Sequence, residues 1–286
     1  MGNTTSFSDP SGDRLCTLLK SKKSLLIPGT FDALSALIAK QAGFEALYLS
    51  GFSVSGSMLA KPDIGLVTAS EMTERARQIV AAVGDTPLIA DGDNGYGGEH
   101  SVARLVNAYE QAGVQSIQLE DQVSPKRCGH MDKKQVVTLE EAVSKIGMAV
   151  RSRQSKEFLI MARTDSRATH GLDEALRRGE AFLKAGADML FIEAPENIEE
   201  MEIIKQEFPD TVLVANMLEE GKTPELSLNQ LADLGYQLVL RPISALLTAA
   251  KALQGSYAAL SQSGKSEPPP ARLTFQAYND LVGLAD

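Results

Sequence analysis

Two segments of this chain concentrate groups that could do chemistry. The first is Asp91-Gly92-Asp93-Asn94-Gly95-Tyr96-Gly97-Gly98, which sets two carboxylates one residue apart in a glycine-rich loop. Carboxylates that close repel each other unless a cation lies between them. A hard divalent cation takes carboxylate oxygens and water, which points to Mg2+, with Mn2+ as the alternative. Asp63 and Glu120, from neighbouring loops, would complete an all-oxygen donor set with Asp91 and Asp93. In the competing reading Asp91 only caps the next turn and Asp93 is solvated. The second segment is Lys126-Arg127-Cys128-Gly129-His130. Two fixed cations and an imidazole beside a thiol lower its pKa and favour the thiolate. The segment lies in a long stretch without periodicity, from Gln122 to Val137, of the kind that serves as a lid or binding loop. The plainer alternative is a basic surface loop with an incidental cysteine.

The elements that must position these groups follow from periodicity. Short apolar runs predict strands at Ser24–Pro28, Ala46–Leu49, Leu88–Asp91, Ser116–Glu120, Phe158–Arg163, Met189–Glu193, Val212–Asn216 and Leu238–Leu240. Apolar residues at i, i+3, i+4 and i+7 predict helices between them, among them Ala33–Gln41, Glu71–Ala82, Val102–Gln111, Leu139–Arg151 and Glu174–Lys184. Glycines 43, 113, 186 and 235 each stand where a helix should stop. Eight such units fit a doubly wound sheet or a (β/α)8 barrel. The first strand is followed by Pro28-Gly29-Thr30-Phe31-Asp32, which lacks the G-x-G-x-x-G of a dinucleotide fold. The (β/α)8 TIM-type barrel is therefore the expected fold, with function at the C-terminal strand ends. Polar residues gather there: Tyr48 to Gly51, Asp91 to Asp93, Glu120 and Asp121, Arg163 to Asp165, Glu193 and Asn216. Residues 1–260 read as one catalytic domain with a short N-terminal extension. Residues 261–286 read as a proline-containing linker, Ser261–Pro270, and a last short helix within Leu273–Leu284.

Composition narrows the function. The chain has 286 residues, 28 Lys and Arg against 37 Asp and Glu, and a net charge of −9. That balance argues against nucleic acid or an anionic membrane as partner and leaves a small-molecule substrate. Cys16 and Cys128 are the only cysteines and lie far apart. They suit a reducing compartment, which makes a cytoplasmic location the expectation. No run reaches the length of a membrane span and no signal peptide opens the chain. Met1-Gly2-Asn3-Thr4-Thr5-Ser6 matches an N-myristoylation pattern, and the competing reading is a frayed polar terminus through about Asp13.

In order along the chain, the motifs YLSG (Tyr48–Gly51), KPDIG (Lys61–Gly65), DGDNGYGG (Asp91–Gly98), LEDQ (Leu119–Gln122), KRCGH (Lys126–His130), ARTD (Ala162–Asp165), EAP (Glu193–Pro195) and NMLEEGKTP (Asn216–Pro224) resemble the isocitrate lyase and phosphoenolpyruvate mutase superfamily. The resemblance implies a (β/α)8 barrel, Mg2+ dependence, and homotetramers that exchange a C-terminal helix. Cys128 places the chain with the carbon–carbon lyases. Its length places it in their short branch, which includes 2,3-dimethylmalate lyase and 2-methylisocitrate lyase. Leu247 stands where methylisocitrate lyases carry an arginine, which favours a 2-hydroxy dicarboxylate such as a 2-alkylmalate, cleaved to pyruvate and a carboxylic acid. Arg241 is the residue that could replace that arginine. The resemblance implies Tyr48 as base or relay and Cys128 as general acid, with Lys126, Arg127 and His130 stabilising charge. The backbone N–H groups of Ser50 and Gly51, with Arg163, would hold a carboxylate; the plainer alternative for Arg163 is a salt bridge to Asp165 or Glu193. Phe52, Gly129, Glu193 and Asn216 would complete the pocket, and Asp63, Asp91, Asp93 and Glu120 would hold the metal. The alternatives are 2-methylisocitrate cleavage, oxaloacetate hydrolysis or decarboxylation, carboxyphosphonoenolpyruvate mutase chemistry, and a silent binding barrel.

Overall fold

The computed structural model describes residues 12–129, 134–268 and 272–284. The Met1–Ser6 motif and His130 lie outside the described residues. A helix α1 (Gly12–Ser21) precedes the first strand and starts inside the stretch expected to be frayed. Then come β1 (Leu25–Thr30), α2 (Ala33–Gln41), β2 (Leu47–Leu49), and α3 (Gly51–Val54), which runs into a π-helical turn, Ser55–Leu59. They are followed by α4 (Ala69–Val83), β3 (Leu88–Asp91), α5 (Glu99–Gln111), β4 (Ser116–Glu120) and α6 (Leu139–Ser152). The second half holds β5 (Leu159–Thr164), α7 (Arg167–His170), α8 (Leu172–Lys184), β6 (Met189–Ile192), α9 (Ile198–Glu207), β7 (Val212–Asn216), α10 (Leu228–Asp233), β8 (Leu238–Arg241), α11 (Ser244–Ser263) and α12 (Phe275–Leu281).

All eight strands are parallel and each pairs with the next. β1 pairs with β8, Leu25 opposite Leu238 through Pro28 opposite Arg241, and the sheet closes into the expected barrel. Glycines 43, 113, 186 and 235 all have positive φ just after their helices, as helix-stop glycines do. Helix α4 begins two residues before its expected start because Thr68 and Glu71 form a capping box. Helix α11 continues to Ser263, so the polar segment that follows it begins at Gly264 and not at Ser261. Among the described residues no helix is long and apolar enough to cross a membrane.

Strand residues alternate between two cores. Leu47, Leu49, Leu88, Ala90, Ile117, Ile160 and Leu190 face outward and pack against the helices. Leu25, Ile27, Ala46, Tyr48, Ile89, Leu159, Met161, Met189, Phe191, Val214, Leu238 and Leu240 fill the barrel interior. Leu15 and Leu18 of α1 join that interior cluster and plug the N-terminal end. The period of two thus makes the lower layers apolar and leaves the last inward positions of the strands for other residues.

At the other end, β1 touches the turn after β8. A Cβ on Gly29 would stand 2.0 Å from the Pro242 carbonyl oxygen, so only glycine lets the two segments close. Gly29→Ala is expected to lower stability by at least about 1–3 kcal/mol, read from urea denaturation. A wild-type midpoint would show that this junction yields easily.

The surface around the C-terminal helices is apolar. α11 buries none of its residues, and Leu247, Leu253, Tyr257 and Leu260 stand exposed along it. Phe275, Tyr278 and Val282 are exposed on or beside α12. Gln41 of α2 donates from Nε2 to the Leu281 carbonyl at 3.2 Å.

Candidate active site

The last inward positions are polar, and they meet. Asp91, Glu120, Arg163 and Asn216 stand at or near the C-terminal ends of β3, β4, β5 and β7, and Glu193 follows β6. They lie at one mouth of the barrel, where the loops add further groups. Tyr48, Ser50, Phe52, Asp63, Asp91, Glu120, Lys126, Arg127, Cys128, Gly129, Arg163 and Asn216 line a cleft there. Gly51, Asp93 and Glu193 stand directly behind this lining, through contacts described below. Sites in barrels of this kind occupy this face.

The acid cluster is organised around a lysine. Lys126 Nζ reaches Asp63 at 2.6 Å and Asp93 at 2.7 Å, with all three side chains buried. Burial opposes a charge on Lys126, but Asp93, Asp63 and Glu120 outweigh it and hold the ammonium well above its ordinary pKa. Its charge is engaged by the carboxylates, and it lines the cleft. Asp91 accepts from its neighbours: Gly51 N–H at 3.2 Å, Asp93 N–H at 3.0 Å and Gln118 Nε2 at 3.3 Å. Burial, then the Asp93 charge, push its carboxyl up to about 6. Glu120 is pushed well up by burial as well, and its Oε1 is buried with no hydrogen-bond partner among the described residues. A Cβ on Gly51 would stand 2.8 Å from Asp91 Oδ2, so the tight fit of this cluster needs glycine there.

This set fits a hard cation. Four carboxylates face one lysine and one shared arginine, a carboxylate oxygen is left unsatisfied, and the cluster offers oxygen donors. Among the described residues no group of three or more His, Cys, Asp or Glu side chains is close enough to form a ready cage. Mg2+ keeps several waters and takes one or two carboxylates. Asp91 and Glu120 would bind it, with Asp93 and Asp63 completing the set through water.

Arg163 sits between carboxylates. Its Nε and Nη2 donate to Asp165 at 2.9 and 3.1 Å, Nη2 reaches Glu193 at 3.2 Å, and Nε lies 3.5 Å from Glu120. Its guanidinium also lies 5.0 Å from the Phe191 ring centroid. Burial opposes the charge, but Asp165, Glu193 and Glu120 raise the pKa well above its ordinary value. Two of its nitrogens are thus committed inside the protein, to Asp165 and Glu193. Asn216 Nδ2 reaches both oxygens of Glu193, at 3.3 and 3.4 Å.

Three further groups have partners inside the protein. The Ser50 N–H donates to the Thr30 carbonyl at 3.1 Å, and the Gly51 N–H donates to Asp91 at 3.2 Å. Tyr48 donates its hydroxyl to Gln118 Oε1 at 3.0 Å. Burial, then Asp91, raise the phenol well above its ordinary pKa.

The segment around Cys128 lies directly on this floor. Gln122 grips Arg127 by both its backbone groups, accepting from its N–H at 2.9 Å and donating to its carbonyl at 2.8 Å. Cys128 N–H donates to the Asp63 carbonyl at 3.2 Å. A Cβ on Gly129 would meet Arg163 Nη2 at 2.2 Å and Glu193 Cδ at 2.8 Å. Arg127 is exposed yet lines the cleft. Gln118 and Gln122 were not anticipated. Gln118 lies at an inward position of β4, two residues before Glu120, where the period of two could have revealed it.

The rest of the wall is apolar: Phe52, Phe191, Leu218, Leu240, Pro242 and Ile243. Neither residue weighed for a third carboxylate stands there. Leu247 is 46% exposed on α11. Arg241, the last residue of β8, bonds Glu225 at 3.0 Å and the Met217 carbonyl at 3.4 Å, which ties it to the loop after β7.

Barrel closure, an oxygen-donor acid cluster and a cysteine segment laid over it define an enzyme of the (β/α)8 class with an acid-lined cleft at its C-terminal mouth. The chain belongs to the phosphoenolpyruvate phosphomutase family, whose model matches residues 15–261. It is 46% identical over 268 residues to 2,3-dimethylmalate lyase of Eubacterium barkeri, covering 93% of this chain and 92% of that protein. A crystal structure of 2,3-dimethylmalate lyase superposes with a TM-score of 0.92 at 35% identity, covering 96% and 92% of the two chains. Oxaloacetate acetylhydrolase bound to 3,3-difluorooxalacetate follows at 0.91 and 30%, covering 96% and 93%. Phosphonopyruvate hydrolase, solved with oxalate and Mg++, matches at 0.85 and 30%, covering 96% and 95%.

Proposed function

We propose that this protein is a Mg2+-dependent carbon–carbon lyase that splits a 2-alkylmalate, such as 2,3-dimethylmalate, into pyruvate and a carboxylic acid. The observation that carries the reading is the mixed lining of the cleft: carboxylates and arginines together with Phe52, Leu218, Leu240, Pro242 and Ile243. A short dicarboxylate with an alkyl substituent matches both kinds of lining. A third carboxylate would meet the apolar wall, since Arg241 and Leu247 are turned elsewhere. The likeness to 2,3-dimethylmalate lyase supports the same substrate class.

Bound Mg2+ would act as Lewis acid and template for the C1 carboxylate and the C2 oxygen. Tyr48, held protonated, accepts a hydrogen bond from the C2 hydroxyl and orients it. The C2 hydroxyl passes its proton to water in the cleft, the C2–C3 bond breaks and its electron pair passes to C3, with the C2–oxygen bond becoming the carbonyl of pyruvate; the same proton restores the Cys128 thiol at the end of the cycle. The Cys128 thiol gives its proton to C3 and completes the carboxylic acid. Arg127, with the part of Arg163 that faces the cleft, pairs with the leaving carboxylate. Asp63, Asp93 and Lys126 hold the acid cluster together while this happens.

The exposed apolar residues of α11 and α12 support assembly into a homotetramer with the C-terminal helix exchanged between subunits. Two cysteines 112 positions apart, too few for a disulfide framework, fit a reducing, cytoplasmic setting.

The test is a pyruvate-release assay with Mg2+, comparing 2,3-dimethylmalate and other alkylmalates with 2-methylisocitrate and oxaloacetate. Preference for alkylmalates, abolished by EDTA, is the expected result. Preference for 2-methylisocitrate would show that a cation reaches the third carboxylate after all. Turnover of oxaloacetate alone would replace the substrate class. Turnover only of phosphonates, followed by phosphorus NMR, would replace the chemistry.

A further inference from the structure

Each residue from Lys126 to Gly129 is fastened by another part of the chain. Lys126 is held by Asp63 and Asp93, Arg127 by Gln122 and Cys128 by the Asp63 carbonyl. The last fastening is Lys134, whose side chain is 1% exposed. Its Nζ donates to the Gly129 carbonyl and, at 2.8 Å, to Asp165 Oδ1. Asp165 is itself rigid. It accepts both Arg163 donors, its own N–H donates to Asp121 Oδ1 at 2.9 Å, and Arg178 of α8 holds Asp121 at 2.9 Å. Lys134 thus connects the cysteine segment to a buried ionic network rooted in the barrel wall.

We propose that Lys134 is a positioning residue of this enzyme: by tying the Gly129 carbonyl to Asp165, it fixes Cys128 over the acid-lined cleft in reach of the reacting carbon. Three observations carry it. First, an ammonium buried to this degree is costly unless its hydrogen bonds are met, and here they are met by one carboxylate of the site and one carbonyl beside the cysteine. Second, Gly129 packs so closely on Arg163 and Glu193 that even a methyl group is excluded, so a small shift of the segment lifts Cys128 away. Third, Asp165 serves Lys134 and Arg163 on the same oxygen, Oδ1, so one carboxylate sets the height of the cysteine segment and the orientation of the arginine together.

The role rests on the lyase reading, and it is testable without it. Lys134→Met, Lys134→Gln and Lys134→Arg would be compared for kcat and KM, for thermal unfolding, and for alkylation of Cys128 by iodoacetamide, mapped by peptide mass spectrometry with Cys16 as internal reference. Lys134→Met should lower kcat by about 100-fold, the effect of roughly an ångström of misplacement. KM should change far less. Alkylation at Cys128 should become about ten-fold faster as the segment loosens, with Cys16 unchanged. Lys134→Arg, which can still bridge a carbonyl and a carboxylate, should recover most of both. Wild-type kcat and Cys128 alkylation in Lys134→Met would overturn the proposal. So would a general loss of stability in which Cys16 and Cys128 become reactive together, since Lys134 would then only support the fold. If the wild-type protein cleaves no carbon acid, the lyase reading fails, and the Cys128 to Cys16 alkylation contrast still decides the role of Lys134.

Discussion

Cys128→Ser will lose carbon–carbon cleavage by about 100- to 10,000-fold, the span associated with removing a general acid. The thiol sits half-buried on the cleft wall, with its own N–H tied to the Asp63 carbonyl, so the residue is placed independently of its side chain. Serine keeps the size and the backbone contacts. Its hydroxyl is a far weaker acid than a thiol, so protonation of the departing carbanion becomes the slow step. The fold and the acid cluster should be untouched. The checks are steady-state turnover of the preferred alkylmalate beside Mg2+ affinity by calorimetry. Lost turnover with unchanged Mg2+ affinity is the expected pair of results. Near-normal turnover would remove the acid role from Cys128.

Asp93→Asn and Asp91→Asn will each raise the Mg2+ concentration needed for half-maximal activity by at least about 10–100-fold, comparable to losses seen when groups around a metal are changed. Asparagine is the informative replacement at 93. Asp93 has φ of +46, a conformation that asparagine tolerates and alanine resists, so Asp93→Ala would mix backbone strain with loss of charge. The two variants differ in what else they disturb. Asp93→Asn removes one of the two carboxylates that hold Lys126. Asp91→Asn removes the carboxylate that accepts the Gly51 and Asp93 N–H groups and Gln118. Titration of activity with Mg2+ decides the matter, and an unchanged metal response in both would move the ion elsewhere.

Much of this architecture was legible from residue order. Strands β3, β4 and β7 and helix α2 have the boundaries their patterns predict, because a buried parallel strand is a short apolar run and a surface helix a 3.6-residue stripe. The placement of Asp91, Glu120, Arg163, Glu193 and Asn216 at strand ends also followed, since alternation puts a defined residue inward at each position. β1 ran farther than its apolar run, to Thr30, because Gly29 and Thr30 pair with Tyr48 and Leu49. That pairing depends on a neighbouring strand and leaves no local trace.

Which group partners which was decided by the tertiary structure. Lys126 meets Asp63 and Asp93 across 63 and 33 positions of chain, and only barrel closure brings those loops to one mouth. Arg163 gives two of its nitrogens to Asp165, two residues on, and Glu193, thirty on. The N–H groups of Ser50 and Gly51 meet Thr30 and Asp91. Lys134 carried no signal at all, because a lysine in an aperiodic loop usually points to water. The sequence by itself determined the repeating units, the barrel and the stock of oxygen donors, cations and thiol at its mouth, because hydrophobic period is a local property of the chain. The tertiary structure decided which charges neutralise one another and which face the cleft, because burial and long-range approach set those energies, and neither is encoded in any short stretch of residues.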